Sequence, residues 1–350
     1  MIKVAIIGAT GYVGVELLRI LLRHKGVDEI FCSSVSFENQ QIEHIYANLL
    51  SLTCGKCSSH LMSADEAMQK ADVVFTALPH GIAEGNATYC VEHGKKLIDL
   101  SADFRYGTDE ATFKTWYGKG WSYPQVHAES VYGSPEMNRE AIKTARVVGN
   151  PGCYVTAATL ALLPALKAGL VDSAGAIIVD GKSGVSGAGR NPTATSHFCE
   201  CGESVSAYSV GKHRHQSEIQ RNCSILAGET VNVIFTAHLV PQSRGVFDTV
   251  YAPLKTPTTT EEVRTLYEKT YEGEPFVRVL PEGVAANTKN VRYSNFCDVQ
   301  VYVVNGGATL EVTSCLDNMI KGAAGQAVEN MNLMAGFDES ESLTFIPPAF

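Results

Sequence analysis

Residues 4–22 read Val-Ala-Ile-Ile-Gly-Ala-Thr-Gly-Tyr-Val-Gly-Val-Glu-Leu-Leu-Arg-Ile-Leu-Leu. The short apolar run at 4–7 suits a buried parallel strand. Gly8-Ala9-Thr10-Gly11-Tyr12-Val13-Gly14 follows, and Leu17, Leu18, Leu21 and Leu22 then fall at helix spacing. Gly-x-x-Gly-x-x-Gly between a strand and a helix is a variant of the dinucleotide fingerprint. Its glycines permit a tight turn and let the backbone approach a pyrophosphate at the helix N-terminus. A glycine run alone is a weak signal, and the strand–turn–helix setting is what gives it meaning.

Working outward, residues 29–33, 71–78 and 96–100 also read as buried strands, with a helix over 83–93. Alternating strands and helices imply an open parallel sheet, with ligands outside the C-terminal strand ends. Pro79, His80 and Arg105 stand at such ends. The second strand runs into Cys32-Ser33-Ser34-Val35-Ser36 and carries its acids, Asp28 and Glu29, at the wrong end to reach a ribose. Small hydroxyl residues leave room for a 2′-phosphate, which tilts the reading to NADP(H). No Arg follows the serines immediately, so the case is incomplete.

Beyond the next helix the pattern changes. Residues 176–180, 230–239, 245–254 and 296–304 are strand-like, 261–271 is helical, and a last helix over 318–334 carries the small-residue run 321–327. The expected fold class is an α/β Rossmann-type dinucleotide-binding domain over 1–150 plus an α+β domain with a mostly antiparallel sheet over 151–317. The helix and tail at 318–350 are expected to return to the first domain. That second domain is expected to catalyse and to assemble the chain as a homodimer or homotetramer, since its alternating strands leave an apolar face to bury.

Bulk properties narrow the function. A 350-residue chain with 45% hydrophobic residues builds its own core, and ten cysteines are too sparse for a disulfide scaffold. The apolar start runs into Gly8 too soon for a signal h-region, and no apolar stretch of about 18 residues is present. A reducing, cytoplasmic setting without a membrane partner is expected. Net charge is −9 and the pI about 5.6. With no Lys/Arg run, nucleic acid is not an expected partner. An anionic substrate would need local cations, for which Arg105, Lys182, Arg190 and Arg214 are candidates.

The chemistry concentrates in residues 148–164, Val-Gly-Asn-Pro-Gly-Cys-Tyr-Val-Thr-Ala-Ala-Thr-Leu-Ala-Leu-Leu-Pro. A strand ends, Asn150-Pro151-Gly152 turns, and a helix begins, which puts Cys153 at a helix N-terminus. Orphan N–H groups and the helix dipole favour a thiolate there, suited to attack on a carbonyl carbon. The bland alternative is a buried structural Cys. Downstream, Lys182-Ser183-Gly184-Val185-Ser186-Gly187-Ala188-Gly189-Arg190 offers backbone N–H groups to an anion, or is a flexible loop. His213-Arg214-His215 precedes a helical stretch and offers the base a cysteine nucleophile needs. Cys54, Cys57 and His60, or Cys199, Cys201 and a His of 213–215, lack the paired spacing of a structural zinc site, so no metal is expected. Cys54 and Cys57 also form a CxxC in a Ser/Gly-rich loop, a poor setting for a redox pair.

In order along the chain these segments resemble the N-acetyl-γ-glutamyl-phosphate reductase family. That family shows Gly-x-x-Gly-x-x-Gly, Ser-x-x-Phe-Arg, Pro-Gly-Cys-Tyr, Ser-Gly-Val-Ser-Gly-Ala-Gly-Arg, His-Arg-His-x-Pro-Glu-Ile and Asp-Asn-x-x-Lys-Gly-Ala-Ala. Val155 and Ser217 stand here where the family often has Pro. The resemblance implies NADPH-dependent reduction of an acyl phosphate to an aldehyde through a thioester on Cys153. His213 is then base and acid, with His215 as fallback, and Glu218 orients the imidazole. Arg105, Asn150, Lys182, Arg190 and Arg214 would bind the acyl phosphate or inorganic phosphate. Gly8, Thr10, Gly11, Tyr12, Val13, Gly14, Ser34, Ser36, Pro79, Ser186, Gly187 and Asn318 would hold NADP(H). The rival readings are aspartate-semialdehyde dehydrogenase, a reductase of a one-carbon-longer carrier-linked acyl phosphate, and a non-catalytic nucleotide-sensing regulator. His213–His215 lies closer to Cys153 than the first rival places its histidine.

Overall fold

The computed structural model describes residues 1–53 and 55–349, so the Cys54 half of the CxxC lies outside the described residues. The chain divides into two compact units, Met1–Pro151 with Ala323–Thr344, and Gly152–Gly322 with residues 345–349. No helix of the described residues is long and apolar enough to cross a membrane.

Unit one is built on strands β1 (Ile2–Ile7), β2 (Val27–Ser33), β3 (Val73–Thr76), β4 (Lys96–Asp99), β5 (Ser130–Tyr132) and β6 (Val147–Gly149). They form a six-stranded sheet in the order β2-β1-β3-β4-β6-β5, and every pair is parallel. β3 is buried along its whole length, as a sheet covered on both faces requires. Helix Tyr12–Leu21 presses Leu17, Leu18, Ile20 and Leu21 into the core. Helix Gly325–Ala335 returns to this unit and packs on helices Tyr12–Leu21 and Pro135–Thr144 and on β4. The β2 edge is blunted by bridges Ile30↔Cys57 and Ser33↔Met62.

Unit two holds β7 (Ala176–Ser183), β8 (Ser206–Tyr208), β9 (Asn232–Leu239), β10 (Val246–Pro253), β11 (Val277–Val279), β12 (Cys297–Val304) and β13 (Thr309–Leu316). These form a seven-stranded sheet in the order β11-β12-β13-β10-β7-β9-β8. It is mixed rather than uniformly antiparallel, because β7 pairs β9 and β11 pairs β12 in parallel. β7, β9 and β10 alternate buried and accessible residues, so only one face meets the core. That face is covered by helix Cys153–Lys167, in which every residue from Tyr154 to Leu166 is buried. Pro164 inside this helix cannot donate to the Leu160 carbonyl. The Tyr271 hydroxyl donates there instead, and Tyr267 donates to the next carbonyl, Ala161 O, at 2.7 Å.

The expected final helix begins later than the sequence suggests. Ile320–Ala324 is a π-helical turn, and the α-helix proper starts at Gly325.

Candidate active site

In unit one the glycine loop is shaped by steric necessity. Gly8 has φ +91°, and a Cβ there would sit 2.5 Å from Ala77 O. A Cβ on Gly14 would sit 2.3 Å from Gly8 O, so only glycine lets the helix close on the loop. Gly11 is the N-cap of the helix, which leaves the first-turn N–H groups of Tyr12 and Val13 without intrahelical acceptors. Ser33 O accepts from Gly8 N–H at 3.1 Å and Ala9 N–H at 2.9 Å, and the Thr10 and Ser34 hydroxyls meet at 2.8 Å. The loop and the end of β2 are therefore one construction. Its backbone approach and open N–H groups fit a dinucleotide pyrophosphate. Ser36 and Pro79 are exposed beside it.

At the other strand ends of this unit the polar side chains turn inward. Arg105 is 5% exposed; its Nε donates to Asn150 O at 2.7 Å and its Nη2 to Leu100 O at 3.2 Å. One edge of the guanidinium fork, expected to bind the substrate phosphate, is thus engaged by backbone carbonyls of this unit. Asn150, expected to touch substrate, is also hydrogen-bonded through its amide within the unit. Its Nδ2 donates to Ala323 O at 3.1 Å, and its Oδ1 accepts from Asn330 Nδ2 at 3.0 Å. Asp99 is fully buried and accepts from Thr76 and Ser101 hydroxyls. Burial, and then the nearby Asp103 charge, push its carboxyl up to about 6.

In unit two Cys153 is the first residue of its helix, half-buried, with Gly152 as N-cap. Three groups converge on the Gly152–Cys153 turn. The fully buried Glu218 accepts from Gly152 N–H at 3.2 Å. A Cβ on Gly152 would lie 2.4 Å from His215 Nε2, and a Cβ on Gly322 would lie 2.7 Å from Cys153 Cβ. The glycines at 152 and 322 are thus what let an imidazole and the π-turn close on the cysteine. Gly322 was missed in the sequence, where it is merely one of a run of small residues.

The two histidines of the motif lie in different surroundings. His213 sits among Tyr154, Tyr208 and Phe235, with ring centroids 5.1–5.9 Å away. Burial, helped by the Arg214 charge, pushes it down to about 4. Its Nδ1 accepts from His215 N–H at 3.1 Å, so the neutral ring carries its proton on Nε2 and has no acceptor left for a thiol proton. His215 is the imidazole against the nucleophile's turn. Glu218, expected to orient an imidazole, fixes that turn.

The other expected residues separate. Asn318 joins Ser186 and Gly187: its Nδ2 donates to Ser186 Oγ at 3.0 Å, its Oδ1 accepts from Gly245 N–H at 2.8 Å, and a Cβ on Gly187 would lie 3.6 Å from its Nδ2. Lys182 is excluded from the cysteine side by strand alternation. Its neighbour Gly181 faces the Tyr154 ring, which a Cβ at that position would approach to 2.7 Å. Lys182 therefore points through the opposite face, where it pairs with Asp180 at 2.6 Å, and Asp180 also meets His238 at 3.1 Å. Arg190 and Arg214 are exposed. Among the described residues no group of three or more His, Cys, Asp or Glu is placed to hold a metal ion.

Comparison with known proteins agrees with this division. Residues 3–145 match the family model for the semialdehyde dehydrogenase NAD binding domain, and residues 153–318 match that for the semialdehyde dehydrogenase dimerisation domain. Among solved structures, an aspartate semialdehyde dehydrogenase II from Vibrio cholerae superposes with a TM-score of 0.73 at 19% identity, covering 96% of this chain and 99% of that one. One from Candida albicans with NADP gives 0.71 at 14% identity over 96% and 98%. At such identities the likeness is one of fold. Fold and site define an oxidoreductase of the semialdehyde dehydrogenase class, with a dinucleotide-binding domain. Among curated relatives, N-acetyl-gamma-glutamyl-phosphate reductase of Clostridium beijerinckii is 47% identical over 350 residues, all of both chains. That of Moorella thermoacetica is 48% identical over 343 residues, 98% of each. The chain belongs to the N-acetyl-gamma-glutamyl-phosphate reductase family.

Proposed function

We propose that the chain reduces N-acetyl-γ-glutamyl phosphate to N-acetylglutamate 5-semialdehyde and releases inorganic phosphate, with NADPH as reductant. The observation that carries the mechanism is Cys153 at the head of a helix, with the His215 ring against the glycine before it. His215 takes the thiol proton. The Cys153 thiolate attacks the acyl carbon, the C–O bond to phosphate breaks, and a thioester is left on sulfur. Orphan N–H groups at the helix start stabilise the oxyanion. When bound, NADPH supplies the hydride that takes the acyl group to the aldehyde level. The hemithioacetal oxyanion then collapses, the C–S bond breaks to free the aldehyde, and His215 returns its proton to the departing Cys153 sulfur. Glu218 and Gly322 position the nucleophile through the Gly152 turn and the π-turn.

The glycine loop, with Thr10, Tyr12, Val13 and Ser34, is the seat of the dinucleotide. Preference for NADP(H) is read from Ser34 and Ser36, with no carboxylate at the end of β2 to repel a 2′-phosphate. Arg105, with its fork partly engaged by backbone carbonyls, contributes charge toward the substrate phosphate. Ser186, Gly187 and Asn318 line the nicotinamide end. The cysteine usage and the lack of a membrane-spanning helix among the described residues support a cytoplasmic setting. The test is phosphate-dependent reduction of NADP+ and NAD+ with N-acetylglutamate semialdehyde, set against aspartate semialdehyde. Faster turnover of aspartate semialdehyde would overturn the substrate.

A further inference from the structure

Outside this site, two thiols face each other in unit one. Cys32 lies on β2 and is 1% exposed, Cys57 is 8% exposed, and their sulfurs are 3.6 Å apart. The pair is held by backbone on both sides. Ile30 N–H donates to Lys56 O and Ser58 N–H to Ile30 O, each at 2.8 Å, and Met62 N–H donates to Cys32 O at 3.0 Å. The segment carrying Cys57 is therefore fastened along the β2 edge, and the strand pairing itself makes the sulfurs neighbours. The two thiols differ in access: Cys57 is the less buried of the two, so it is the sulfur an oxidant meets first.

The residues after Cys32 give the pair a consequence. Ser33 accepts the Gly8 and Ala9 N–H groups through its carbonyl, and Ser34 holds Thr10. A disulfide requires sulfurs about 2.05 Å apart, so about 1.5 Å must close through rotation of the two side chains and adjustment of the end of β2 and the Cys57 segment. The glycine loop rests on that strand end, so adjustment of the strand is felt by the loop.

We propose that Cys32 and Cys57 are a peroxide-oxidisable thiol pair whose disulfide weakens dinucleotide binding. The second half rests on the reading of the glycine loop given above. The Cys57 sulfur gives up its thiol proton and attacks hydrogen peroxide, the O–O bond breaks, and the leaving hydroxide takes up that proton, so that a sulfenic acid and water result. Cys32 sulfur then displaces the hydroxyl of Cys57 as a second water, its thiol proton leaving with it. Two thiols and one peroxide become one disulfide and two waters, and an added dithiol reverses the step.

The experiment uses the full-length Cys153→Ser chain, so that the nucleophile does not compete for oxidant. After peroxide treatment, remaining thiols are capped and the linkage is mapped by mass spectrometry, while NADPH binding is titrated by fluorescence. The expected result is a Cys32–Cys57 linkage that dithiothreitol removes, with NADPH affinity lowered on the order of tenfold and then restored. Adding Cys57→Ser or Cys32→Ser should leave affinity indifferent to peroxide. No Cys32–Cys57 linkage, a bridge that vanishes with Cys54→Ser, or a linkage with unchanged affinity would each overturn the proposal. Failure of the reduced chain to bind NADPH would sink the dinucleotide reading and this regulation with it, and the mapping would still report on the thiol pair by itself.

Discussion

At the scale of single residues, the imidazoles carry the sharpest expectation. His215→Asn should lower kcat by roughly 10²–10⁴, the range for loss of a general acid–base group. His213→Asn should cost less, because its ring is neutral above about pH 4 and its Nδ1 is already engaged. Steady-state kinetics of the two variants decide this, and the opposite order would return the role to His213. Cys153→Ser should fall below about a hundredth of the parent rate and still bind NADPH, since a hydroxyl hardly ionises at neutral pH. Asp99 makes a pH-dependent contribution to stability. Its folded value is raised to about 6 from 3.8. The unfolded chain thus gives up that proton first as pH rises, and the contribution present below about pH 4 is lost through about pH 6. Urea unfolding of parent and Asp99→Asn should show their difference drifting against the parent by about 3 kcal/mol across that interval. A flat difference would mean that Asp99 ionises as readily folded as unfolded.

At the scale of elements, helix Cys153–Lys167 owes its integrity to a neighbour. Pro164 leaves the Leu160 carbonyl without a helical donor in a wholly buried segment, and Tyr271, at the C-cap of helix Thr260–Thr270, fills the gap. Tyr271→Phe removes the donor and little volume. It should cost about 1–3 kcal/mol in chemical denaturation, the range for a buried acceptor left unmet. A loss below about 0.5 kcal/mol would show that Leu160 O finds another donor. The π-turn Ile320–Ala324 is the second element with a purpose legible in its packing. It brings Gly322 against Cys153, where any side chain would collide with the nucleophile.

At the scale of the whole molecule, one face of the unit-two sheet is left accessible over β7 and β9. Ile178 and Ile234 are 44% and 53% exposed there, beside the Asp180, Lys182 and His238 cluster. Burial of this face against a second copy is the economical solution. Light scattering at micromolar concentration should give a multiple of 37.7 kDa. A mass of 37.7 kDa would show that the face stays in water.

The residue order alone determined the parallel sheet of unit one, the glycine loop, and Cys153 at a helix start. Each depends on spacing within a few residues: an apolar run, a turn, then helical periodicity. It also pointed to the strands of the second unit, through alternation of buried and accessible positions. The rest was settled by partners distant in the chain. Strand pairing decided that β7 runs parallel to β9, and alternation about Gly181 turned Lys182 to the far face. The choice between His213 and His215 hung on which ring meets Gly152 and which is caged by Tyr154, Tyr208 and Phe235. Asn150 and Arg105 are polar residues at strand ends, where a ligand is expected, yet their hydrogen bonds go to Asn330, Ala323 and backbone carbonyls. A local pattern fixes what a segment is. Only tertiary structure decides where a polar side chain finds its partner, because that partner is drawn from the whole chain and burial makes an unmet group costly.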